Sequence, residues 1–75
     1  MRSSFEARYP SISTWVTKHG WIEIGADCYS RSFLRALDGG GMIWEGAVRY
    51  ESMDEALLAL EEGIANQMAI LFPAR

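Results

Sequence analysis

The spacing of apolar positions changes along this chain, and each change marks an element. Ile12, Trp15, Val16 and His19 follow i, i+3, i+4, i+7, which places them on one helical face. Ser11 can cap the start, and Lys18 and His19 suit the last turn. Gly20 suits the left-handed position just past the end. Thr14, Val16 and Thr17 are β-branched, so a strand over 11–19 is the rival reading. Residues 1–10 read as a flexible N-terminal arm that stops at Pro10. Residues 11–72 read as a single α+β domain.

After Gly20 the pattern turns to period two. Trp21-Ile22-Glu23-Ile24-Gly25 reads as a strand, and residues 29–37 as a second. In that second strand Phe33, Arg35 and Leu37 share one face, and Ser32, Leu34 and Ala36 share the other. Ala26-Asp27-Cys28 is the short loop between the two strands. Asp38-Gly39-Gly40-Gly41 is the next turn, where glycine permits positive φ at no steric cost. Met42-Ile43-Trp44-Glu45-Gly46 is the third strand. Connections this short favour antiparallel neighbours, so the strands form a meander.

The helical period returns in the last third. Ser52-Met53-Asp54-Glu55 predicts a capping box, with the Ser hydroxyl on the Glu55 amide and the Glu55 carboxylate on the Ser52 amide. Asp54 and Glu55 also suit the positive end of the helix dipole. Leu57, Leu60, Ile64 and Met68 form an apolar stripe, flanked by Ala56 and Gly63. Glu51, Glu55, Leu58, Glu62 and Asn66 fall opposite. Pro73 ends anything that runs past Leu71. The predicted fold is therefore α+β: a three-stranded antiparallel β-meander with a C-terminal amphipathic helix packed on one face, and a short N-terminal helix. Which sheet face the helix covers is open at this stage, because both carry large apolar residues.

Size sharpens this picture. A chain of 75 residues supports one domain with a thin stability margin, which small domains supplement with a disulfide, a metal or a partner chain. Cys28 is the only cysteine, so no disulfide can form within the chain. His19 is the only histidine, which argues against a Cys/His metal site. A partner chain is left. Hydrophobic residues make up 49% of the sequence, including three Trp, three Tyr and three Phe, a large apolar load for so shallow a core.

Charge excludes broad attraction to nucleic acid or anionic lipid, since the net value is −3. Residues 1–50 hold six Lys/Arg against five acids, whereas residues 51–75 hold five acids against Arg75 alone. The acidic last third could meet a basic partner, although a solvated helix face accounts for it as well. Met1-Arg2-Ser3-Ser4-Phe5-Glu6 has no apolar signal region, and no run approaches the roughly 18 apolar residues a membrane span needs. The expected setting is the cytoplasm, with no membrane contact.

Chemistry-bearing residues are few. His19 lacks a nucleophile or orienting acid at a telling spacing and fits better as a helix C-terminal residue. Cys28 lies beside Asp27, which disfavours a thiolate, although Arg31 is near. The glycine run leads into a strand, not into the helix N-terminus that a phosphate cradle requires. No catalytic residue, cofactor site or metal site is expected. An adjacent-strand pair of carboxylates, Glu23 with Glu45, is the one arrangement that could overturn this.

Trp15, Trp21, Phe33 and Trp44 are the candidate interface residues, because large aromatics bury much area at contact surfaces. Arg31, Phe33 and Arg35, with Trp44 joining from the third strand, are the alternative: a sheet face that stacks bases and contacts phosphates of a single strand. Set against that, the arginines can simply pair with Glu23 and Glu45 on neighbouring strands. The expected partners are a second copy of the chain, as a dimer or higher, or another protein.

From Trp21 to about Met68 the order strand, strand, strand, helix resembles the small domain of HicB-type antitoxins. Tyr50-Glu51-Ser52-Met53-Asp54-Glu55-Ala56-Leu57 is similar to the Thr/Ser-x-x-Glu-Ala-Leu helix start of those domains. Where that family has Leu-Pro-Gly, this chain has Leu37-Asp38-Gly39-Gly40-Gly41. The resemblance implies a homo-oligomer that binds and blocks a small basic toxin, and it carries over no catalytic residue. The stretch from Gly20 to Gly46 also looks like the core of small uncharacterised bacterial proteins, which implies no activity.

Overall fold

The computed structural model describes residues 4–25 and 32–72. Its elements run α1 (Ser4–Arg8), α2 (Pro10–Thr14), a π-helical turn (Trp15–His19), β1 (Gly20–Ile24), β2 (Leu34–Asp38), β3 (Gly41–Glu45) and α3 (Met53–Leu71). The strands form an antiparallel sheet in the order β1-β2-β3, and the architecture is α+β.

Within the expected N-terminal arm, the described residues form helical structure. Residues 4–8 are helical, and Tyr9 is buried in the core beside Ile12 and Trp15. Phe5, Tyr9 and Ile12 repeat at four and three residues, so the apolar stripe of α2 begins before Pro10. Proline does not stop this segment, because it occupies the first turn of α2, where its missing N–H is no loss. The helical reading of 11–19 holds over the strand reading, with the β-branched portion wound as a π turn.

Ser11 does not cap α2. Its amide and that of Ile12 donate to the two carboxylate oxygens of Glu61, each at 2.9 Å. An acid on α3 thus satisfies the open N-terminus of a different helix and ties the two together. Gly20 is not left-handed either: its φ is −166°. Glycine is required there because a Cβ would collide with the Leu37 carbonyl, which accepts the Trp15 indole N–H at 3.0 Å.

The β2–β3 turn follows the sequence closely. Asp38 pairs with Gly41, the Asp38 carboxylate accepts the Gly40 amide at 2.8 Å, and positive φ falls on Gly41. β3 carries a register shift opposite Ala36 and Leu37, which leaves Ile43 as the extra residue of a bulge. β2 begins at Leu34, later than the expected second strand; residues 26–31, with Cys28 and Arg31, lie outside the described residues.

Helix α3 starts as its sequence dictates. The Ser52 hydroxyl accepts the Glu55 amide at 3.1 Å. The return bond differs from a capping box, since the Glu55 carboxylate takes the Glu51 amide at 2.9 Å with Ser52 extended. Ala56, Leu60, Gly63 and Ile64 are buried, Leu57 and Met68 half-buried, and Glu51, Glu55, Leu58, Glu62 and Asn66 exposed. Helices α2 and α3 pack on the side of the sheet that carries Leu34 and Ala36, and the core lies between these layers.

Candidate interaction surface

Strand alternation sends alternate side chains of β2 to opposite faces. Leu34 and Ala36 are fully buried under the helices. Arg35 and Leu37 belong to the other face. Register places Trp21 opposite Leu37, Glu23 opposite Arg35, Glu45 opposite Arg35, and Met42 opposite Leu37. This second face is built from Trp21, Glu23, Arg35, Leu37, Met42 and Glu45, and no described helix packs on it. Trp21 is 45% exposed and Met42 50% exposed. The Trp21 indole N–H donates to Glu23 Oε2 at 3.2 Å, which holds the ring along its own strand.

Arg35 is a buried structural residue. Its Nε donates to Glu23 Oε1 at 3.1 Å, Nη1 to the Ser32 carbonyl at 2.6 Å, and Nη2 to the Gly25 carbonyl at 3.1 Å. The guanidinium therefore links the two ends of the β1–β2 connection. A planar fork with several donors can do this from one position, and a lysine cannot. The donors are committed inside the protein, so Arg35 does not project toward a phosphate. Arg35 also stands between Glu23 and Glu45 in the register, which separates the two carboxylates considered as an acid pair.

The remaining candidates separate by location. Trp15 is fully buried and belongs to the core, where its one polar atom is satisfied by Leu37. It is not a surface anchor. Trp44 lies opposite Ala36 and packs so closely on α3 that a Cβ at Gly63 would collide with the indole. It therefore sits on the helix-covered side, and does not join the Arg35 face. Phe33 is half-buried against the core and meets the Tyr50 ring edge-on at 6.4 Å. Of the three residues named for nucleic-acid contact, Phe33 and Arg35 are engaged internally and Arg31 lies outside the described residues. Trp21 is the interface candidate that remains exposed.

A second apolar feature lies at the far end of the helices. Thr14, Lys18, His19, Met68, Ala69 and Phe72 line an open groove. The His19 ring lies tilted against Trp15, with centroids 5.4 Å apart, and stacks on Phe72 at 4.5 Å. This stack gives the lone histidine a packing role at the end of its helix. Among the described residues no group of His, Cys, Asp and Glu is gathered as a metal site, and no helix is long and apolar enough to cross a membrane.

Sequence reasoning overlooked Glu61 and the extent of Arg35's bonding. In sequence Glu61 is one more acid of an acidic helix, and nothing local marks it as the cap of an element about fifty residues away. No protein family model, curated protein or solved structure matches this chain.

Proposed function

We propose that this protein is a non-catalytic protein–protein interaction module that works as a homo-oligomer, with the sheet face that no described helix covers, and Trp21 on it, as its contact surface. The observation that carries this reading is the contrast within one sheet. One face is sealed by helices, whereas the other presents Trp21, Leu37 and Met42 around a neutralised Glu23–Arg35 pair. An apolar patch with internally paired charges can be covered by a partner at little electrostatic cost. The strand, strand, strand, helix order and the Ser52 cap of α3 support the finer reading of an antitoxin-like binder.

Sedimentation equilibrium of the chain across a wide concentration range tests the proposal. The expected result is a dimer or larger assembly, weakened by Trp21→Ala. A strict monomer at every concentration, or a Trp21→Ala chain that assembles like the parent, would overturn the assignment.

A further inference from the structure

The two edges of the sheet are not alike. β2 is central, so β1 and β3 each turn a row of backbone groups outward. The bulge at Ile43 interrupts the row on β3, and bulges are one device that protects an edge from pairing with another chain. β1 pairs with β2 without interruption from Gly20 to Ile24. It also carries neither of two other protective residues, lysine and proline. Its Ile24 is 53% exposed.

The bonding pattern identifies the outward groups. The Gly25 amide donates to the Phe33 carbonyl at 2.7 Å. Alternate residues of an antiparallel strand bond in the same direction, so Glu23 and Trp21 also bond inward to β2. The amides of Ile22 and Ile24 point outward, and neither has a partner among the described residues. The Gly20 amide is taken by the Trp15 carbonyl, which leaves the Gly20 carbonyl on the outer edge.

We propose that β1 pairs antiparallel with β1 of a second copy, joining the two sheets into one. The register is set by symmetry and charge. With Ile22 opposite Ile22 of the other copy, those residues exchange both backbone bonds, and each Ile24 amide reaches the Gly20 carbonyl across the junction. Glu23 then falls opposite Trp21. A register centred on Glu23 would set two carboxylates directly opposite each other, which is repulsive. One centred on Trp21 would leave the Ile24 amides unpaired. The favoured pairing is isologous and closes as a dimer, so it does not propagate into a fibre. It rests on the homo-oligomer reading above and places the contact between copies at the β1 edge: the two sheet faces become one continuous surface, with both Trp21 side chains beside the two-fold axis.

Residue-resolved amide exchange of the full chain, read by NMR below and above the association midpoint, tests this. Exchange at Ile22 and Ile24 is expected to slow by at least about tenfold on association, while the outward Glu45 amide on β3 is unchanged. Ile24→Lys, which puts a charge on an exposed edge position, is expected to raise the dissociation constant about tenfold or more with an unchanged circular dichroism spectrum. If the chain assembles while the β1 amides exchange as in the monomer, or if folded Ile24→Lys assembles like the parent, edge pairing is wrong and the interaction reading stands on another surface. A chain that is monomeric throughout overturns both.

Discussion

The two faces of the sheet share the same three strands and differ in almost everything else. Beneath the helices, Leu34 and Ala36 are fully buried and Trp44 packs onto the bare backbone of Gly63. On the other side, Trp21 and Met42 are about half exposed, and Arg35 is held by Glu23 and by backbone carbonyls. Apolar surface serves different ends on the two sides. On the first it is the source of stability, since burial removes it from water within the chain. On the second, Trp21 and Met42 stay half exposed to water, and that surface contributes less to the fold of one copy. The internally paired Arg35 makes that division workable, because the open face has no buried charge awaiting a counterion.

Substitutions can break or sharpen this contrast. The largest effect is expected from Trp15→Ala, which empties the centre of the core and strips the Leu37 carbonyl of its donor. Urea titration should show a loss of about 3–5 kcal/mol, and a loss below about 1 kcal/mol would mean the core lies elsewhere. Arg35→Ala follows. It leaves the Ser32 and Gly25 carbonyls without their donor, so a loss of about 2–3 kcal/mol is expected in the same titration, with Arg35→Lys recovering only part of it. If Arg35→Lys matches the parent, the fork geometry is irrelevant.

Gly63→Ala pushes the Trp44 ring off α3 and is expected to cost about 1–3 kcal/mol, even though alanine favours helix more than glycine does. A stabilised Gly63→Ala chain would show that Trp44 moves aside freely. Ser52→Ala removes the α3 cap at a cost of about 1 kcal/mol, visible as a lower thermal midpoint. Trp21→Ala is the smallest, within about 0.5 kcal/mol for a single copy measured at high dilution. It should nevertheless weaken association in sedimentation. Were Trp21→Ala to destabilise the isolated chain as much as Trp15→Ala does, the two faces would not differ as described.

Much of the fold is legible from local pattern. The Asp38–Gly41 turn and the apolar stripe of α3 depend on residues near in sequence and are found where their patterns predict, whereas the alternation of β2 holds from Leu34 onward and Phe33 leaves the predicted Arg35 face to pack against the core. The candidate site was less legible. Trp15, Trp21 and Trp44 are equivalent as large aromatics on predicted elements, yet one fills the core, one is exposed, and one packs on a helix. Phe33 and Arg35 read as a binding pair, but Arg35 is spent on backbone carbonyls whose positions no local pattern supplies.

The sequence by itself determined the order of the strands and the long helix, the turn between β2 and β3, and the start of α3, because each is set by neighbouring residues through periodicity, φ preferences and short-range caps. Only the tertiary structure decided which sheet face is covered, that Tyr9 enters the core, that Gly20 is a point of close approach to Leu37, and that Glu61 caps α2. Those features arise when segments distant in sequence compete for the same buried space and the same backbone donors, and the outcome depends on the summed packing of the whole chain.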